Sequence, residues 1–123
     1  MKKFVYLLLI FTVLISCSKK DDSIDEPIKV TLSSTVTGTL NPATIEYKDE
    51  TGTLKSETLP VGQWNKTFTV SNGFNLLVKA QGTINGSIEL KATATGNGVS
   101  YNVNKNSSSN YDTNFELEIS TKL

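Results

Sequence analysis

Arginine and histidine are absent from the chain, and cysteine occurs once, at Cys17. Without histidine, no side chain has an ordinary pKa near neutrality. Histidine-based triads, zinc sites built on His or Cys, and bidentate arginine clamps are excluded with it. A lone cysteine forms no intramolecular disulfide, so an exported fold must hold by its core alone. All twelve basic residues are lysine, balanced by twelve Asp and Glu. No arginine-bearing basic stripe exists for nucleic acid, and no nucleic-acid partner is expected. Neither a cofactor nor a metal is expected. The acidic cluster near residue 21 lacks the glycine-centred loop and ordered ligand spacing of a calcium site. No long apolar run follows residue 15.

What is present begins at the N-terminus. Lys2 and Lys3 precede an apolar stretch over residues 4–15, the layout of a secretory signal. Twelve residues of helix would span about 18 Å, short of the ~30 Å hydrocarbon core, so the segment is too short for a retained membrane helix. Leu14-Ile15-Ser16-Cys17 closes it. This tetrad resembles the lipobox of bacterial lipoproteins. The resemblance implies a diacylglyceryl group on the Cys17 thiol, cleavage before Cys17, and acylation of the freed amine, with palmitate as an acyl group. Residues 1–16 are then a lipoprotein signal peptide. Two chains on one residue meet the requirement for stable anchoring, at ~0.8 kcal/mol per buried methylene.

Residues 17–27 are charged and poor in apolar side chains, as a flexible tether would be. Within them, Lys20-Asp21-Asp22 resembles the lipoprotein export signal of Bacteroidota, which implies delivery to the outer face of the outer membrane. Asp22-Ser23-Ile24 resembles the O-glycosylation sequon of the same bacteria, which implies a sugar on Ser23. The alternative for both stretches is a plain soluble linker.

From Ile28 onward the pattern has period two. Expected strands run through Val30 and Leu32, through Ile45 and Tyr47, and back through residues 54–59 after a turn at Asp49-Glu50-Thr51-Gly52. Gly38 reads as a bulge. Trp64, Phe68 and Val70 share one parity. Asn72-Gly73 carries the strongest hairpin signal, Asn85-Gly86 reads as a further tight turn, and Gly96-Asn97-Gly98 as another. Residues 104–110 read as a polar loop before a last strand through Phe115, Leu117 and Ile119.

These segments predict an all-β domain over residues 28–123, an antiparallel sandwich of seven to eight short strands behind the signal helix and tether. The expected core is Val30, Leu32, Val36, Ile45, Tyr47, Trp64, Phe68, Val70, Leu76, Val78, Ile88, Leu90, Val99, Tyr101, Phe115, Leu117 and Ile119. Trp64 is expected at the centre between the sheets, its indole N–H on a backbone carbonyl.

Val36-Thr37-Gly38, Ala43-Thr44-Ile45-Glu46-Tyr47, Leu59-Pro60, Trp64 and Lys66-Thr67-Phe68-Thr69-Val70 together resemble the MmpS-type domain (mycobacterial membrane protein, small) over about residues 29–94. The resemblance implies an immunoglobulin-like sandwich and, for mycobacterial members, a periplasmic accessory role beside RND-type exporters. Here the residue before Trp64 is Gln63 where that family usually has proline, and the anchor is a lipid in place of a transmembrane helix.

The resulting expectation is a non-catalytic, lipid-anchored envelope lipoprotein, outer-membrane and surface-exposed, whose sandwich binds an envelope protein or a glycan. The alternative is a periplasm-facing exporter subunit. Tyr101, Tyr111 and Phe74 stand near expected loops, where an aromatic ring could stack on sugar or simply pack. Glu116 and Glu118 form the only carboxylate pair considered for hydrolysis. At i and i+2 they share a strand face opposite Phe115 and Leu117, as a solvated face would.

Overall fold

The computed structural model describes residues 26–123. Among them the chain is all strand and turn, in five strands: β1 (Ile28–Lys48), β2 (Leu54–Thr58), β3 (Gly62–Val70), β4 (Asn75–Gly96) and β5 (Val99–Lys122). All pairings are antiparallel and belong to one sheet, ordered β2-β1-β4-β5, with β3 also on β1. The expected signal helix lies outside the described residues.

Three strands are long, at 21, 22 and 24 residues. Drawn straight, each would reach about 70 Å, whereas a globule of this chain length has a radius of gyration of only ~13 Å. The strands must therefore bend, and they do so together near their middles. β3 pairs with residues 28–36 of β1, and β2 with residues 44–48 on the same side. The two halves of the sheet then lie face to face as two layers. Glu26 and Pro27, before β1, share one cleft with Glu50, just after it. Tyr47 meets Trp64 edge-on across the layers, ring centroids 5.5 Å apart, and Phe68 meets Phe74 at 6.0 Å.

Glycine makes the bend. Gly38 and Gly86 are cross-strand partners, and a Cβ on Gly38 would lie 2.8 Å from the Gly86 Cα. Just beyond, the β1 register shifts between Asn41 and Ala43. Pro42 is the extra residue, at a stretch where β1 has neither β2 nor β3 beside it, so its missing N–H breaks no ladder. The bulge also switches the buried parity of β1 from Val30, Leu32 and Val36 to Ala43, Ile45 and Tyr47.

The expected seven to eight short strands are thus corrected to five. Eight strand segments do stack in two layers, but three strands run unbroken through both. Asn85-Gly86 lies inside β4 at the bend and is not a turn. Gly38 belongs to the same bend, and the bulge falls at Pro42 instead. Residues 104–110 are not a loop: they pair with β4 through Lys91↔Asn104 and Gly86↔Ser109. Asn72-Gly73 does turn the chain, but β3 and β4 do not pair with each other, so it joins the layers and makes no hairpin. The turn is pinned to Leu123, with Gly73 N–H donating to the Leu123 carbonyl at 2.7 Å and Leu123 N–H donating to the Phe74 carbonyl at 2.9 Å. The hairpin turns at 49–53 and at Asn97-Gly98 form where expected, the second with positive φ at both residues, as a type I′ turn requires.

One core fills the space between the layers. Thirteen of the expected core residues are buried, while Phe68, Val99, Tyr101 and Leu117 are half-buried against them. Ile28, Ala43, Leu59, Ala80, Ile84, Ala92 and Ala94 join them. Small alanines at 80, 92 and 94 on the inner side of β4 let the opposite layer approach.

Candidate functional site

Two constructions stand out among the described residues: a polar clasp between the layers and a groove on the outside of one layer, lined by hydroxyl and carboxamide groups with a single carboxylate.

The clasp sits at the β2–β3 edge. Glu57 of β2 accepts a hydrogen bond from the Tyr47 hydroxyl at 2.9 Å and a long one from the Trp64 indole N–H at 3.5 Å. Lys66 of β3 approaches its carboxylate to 3.2 Å and lies 5.9 Å from the Tyr47 ring centroid. Trp64 is therefore at a sheet edge, not the centre, and its N–H meets a carboxylate instead of a backbone carbonyl. An edge strand leaves a bulky ring near solvent unless a polar partner holds its N–H, and Glu57 does so. Burial opposes the Glu57 charge, but the bonds from Tyr47, Lys66 and Trp64 outweigh it and hold the carboxyl below its ordinary range. Burial first, then the Glu57 contact, pushes the Tyr47 hydroxyl up to about 12. All four groups are used on one another, which makes the clasp a structural device.

The groove arises from strand alternation. In the first layer, the outward positions of β1 are Thr31, Ser33, Thr35 and Thr37, because Val30, Leu32, Ser34 and Val36 point inward. Their neighbours on β4 are Thr93, Lys91, Glu89 and Ser87, and beyond these on β5 come Asn102, Asn104, Asn106 and Ser108. Thr67, Asn65 and Gln63 of β3 extend the first three rungs. Lys91 and Glu89 are the only charges in these four rungs, and Lys29, beside Thr69 and Thr95, is the next outward position of β1. The outer side of the second layer differs, with Glu46, Lys79 and Glu118 in one rung and Lys79 paired to Glu116 at 3.5 Å. Glu116 and Glu118 are exposed there, on the side opposite Phe115 and Ile119.

At the bend end of the first layer, Thr35, Thr37, Ser87, Glu89, Asn106 and Ser108 line a shallow groove of about 350 Å³. The Thr37 and Ser87 hydroxyls are hydrogen-bonded across the strands at 2.5 Å. Immediately after Ser109, β5 carries three residues, 110–112, opposite the single Asn85 of β4. Tyr111 stands on this bulge and is 72% exposed. Its carbonyl accepts from the Ser109 and Thr113 hydroxyls at 2.8 and 3.0 Å, and its N–H donates to Ser109 Oγ at 3.3 Å. Of the three aromatics considered for sugar stacking, Phe74 packs on Phe68, Tyr101 packs on the core, and Tyr111 is free.

Cys17, Lys20, Asp21, Asp22 and Ser23 lie outside the described residues. No cluster of three His, Cys, Asp or Glu able to hold a metal ion occurs among the described residues, and no helix there is long and apolar enough to cross a membrane. The groove had no signal in the linear sequence beyond the Thr, Ser and Asn content of outward positions. No family model, no curated protein and no solved structure matches the chain.

Proposed function

We propose that the protein is a non-catalytic, lipid-anchored lipoprotein of the cell envelope, held in the outer membrane and exposed at the cell surface, with its folded β domain acting as a binding module. The observation that carries this reading is Leu14-Ile15-Ser16-Cys17, placed directly after the Lys2-Lys3 and apolar segments. Lys20-Asp21-Asp22 supports the outer face. The absence of histidine and of a second cysteine supports a binding role over catalysis.

The exporter-accessory alternative rests on the MmpS-like residues. Among these, Ile45, Tyr47, Leu59, Trp64 and Val70 are core positions and Gly38 is at the bend. They bear on a shared architecture more than on a shared partner, and architecture alone does not carry function.

Growth with an alkyne-tagged palmitate analogue tests the anchor. The native chain should incorporate label and show an intact mass for lipidated residues 17–123, and Cys17→Ser should lose both. A native protein without label, retaining residues 1–16, would refute the lipoprotein reading.

A further inference from the structure

We infer that the groove of the first layer, extended along β5 to the exposed Tyr111 three residues beyond Ser108, is a binding site for an uncharged polysaccharide; this deepens the surface-module reading and rests on it. Hydroxyl and carboxamide groups each donate and accept hydrogen bonds. Thr35, Thr37, Ser87, Asn106 and Ser108 therefore match a ligand that is itself a dense array of hydroxyls. The one charge in the groove, the Glu89 carboxylate, disfavours phosphate, sulfate and uronic acids. The cations of this face, Lys91 one rung from the groove and Lys29 two rungs beyond it, are spread along the sheet, where an anionic polymer would need a cluster.

Polar groups alone would merely trade water for sugar hydroxyls, with little net gain. A sugar ring also has an apolar C–H face, and an aromatic side chain provides the surface to bury it. Tyr111, exposed three residues past the groove-lining Ser108 on the same strand, is the aromatic available for this. Its bulge fixes both of its backbone polar groups through Ser109 and Thr113, so the backbone that carries the exposed ring is ordered before any ligand arrives. The groove volume lies at the small end of the range for ligand sites. It suits one or two sugar units, with the flat rungs of Thr, Ser and Asn beyond it available to a longer chain.

The test uses the full-length lipoprotein in detergent micelles, applied to beads carrying dextran, mannan, xylan or galactan, with polygalacturonate beads as the acidic comparison. Retention on at least one neutral polysaccharide is expected. Tyr111→Ala should weaken that retention at least tenfold, and Thr37→Val should weaken it severalfold. Glu118→Gln, on the outside of the other layer, should leave it unchanged, and melting curves should show all three variants folded. Retention on none of the four neutral polymers, retention on polygalacturonate alone, or undiminished retention of Tyr111→Ala would overturn the proposal. Such a failure leaves the lipid on Cys17 intact, whereas an unlipidated chain that still binds polysaccharide would fail the anchor reading alone.

Discussion

Glu57 and Lys66 belong to different layers of the folded sheet, yet their side chains meet at 3.2 Å beside the Tyr47 hydroxyl and the Trp64 ring. Both side chains are more than a third exposed, so solvent screens the ion pair and its coupling should be modest, ~0.5–1 kcal/mol in a double-mutant cycle. The Tyr47 hydroxyl is better shielded, and Tyr47→Phe should cost ~1–2 kcal/mol, as loss of a bond to a charged acceptor does. Urea titrations of the single and double variants measure both. A coupling well above 2 kcal/mol would mean that the pair is less hydrated than its exposure indicates.

The clasp gives stability a pH dependence at both extremes. The Glu57 carboxyl titrates below its ordinary 4.5, after its hydrogen bonds overcome burial. Asp49 is likewise lowered, chiefly by the Thr51 hydroxyl. Their contributions are present above the unfolded-state values and are lost as pH falls through the folded ones, so the melting temperature should drop below about pH 4.5. Tyr47 is raised from 10.0 to about 12. Its contribution is complete below pH 10 and is lost as pH rises toward 12. Thermal melts from pH 3 to pH 12 should show both limbs, and Tyr47→Phe should flatten the alkaline one. An unchanged alkaline limb in that variant would show that another group sets it.

The bend depends on close approach of two backbones. A Cβ on Gly38 would lie 2.3 Å from the Asn85 carbonyl oxygen, and one on Gly86 would lie 2.1 Å from that of Thr37. Neither neighbour is a side chain that can swing away. Gly38→Ala or Gly86→Ala should therefore destabilise by ~3 kcal/mol or more, combining backbone strain with a clash. Gly52, with φ of +80° and open space around it, should lose only ~1 kcal/mol on substitution by Ala. Equal losses at Gly38 and Gly52 would show that the layers are not held by this contact.

Ser34 is 2% exposed, and its hydroxyl has no hydrogen-bond partner. It lies between Trp64 and Leu90 in the cross-strand register. Removing an unpaired buried hydroxyl relieves a desolvation penalty, so Ser34→Ala should be neutral or stabilising by up to ~1 kcal/mol. A loss beyond 1 kcal/mol in chemical denaturation would reveal a partner for the hydroxyl.

Period-two alternation made most of the core legible, because a face buried against a second layer must be apolar at every other residue. It said nothing of Gly38 opposite Gly86, since the contact joins residues 48 positions apart through backbone alone. Asn85-Gly86 carries ordinary turn chemistry, but the unbroken ladder to Thr39 and Gly38 of β1 keeps the chain extended there. Residues 104–110 lack apolar side chains because they lie on a sheet edge, where backbone pairing with β4 suffices to hold a strand. The groove is assembled from residues 35–37, 87–89 and 106–108. Each is an unremarkable polar stretch, and only the register brings them side by side. Tyr111 was visible as an aromatic near a polar stretch, but its exposure follows from the bulge.

The surface-lipoprotein reading is tested most directly by proteinase K treatment of intact cells, with a periplasmic protein as the integrity control and a Lys20-Asp21-Asp22→Ala variant beside the native chain. The native protein should be digested and the variant spared, while both remain lipidated at Cys17. Protection of both chains in cells with an intact control would contradict export to the outer face and would favour the periplasmic accessory role.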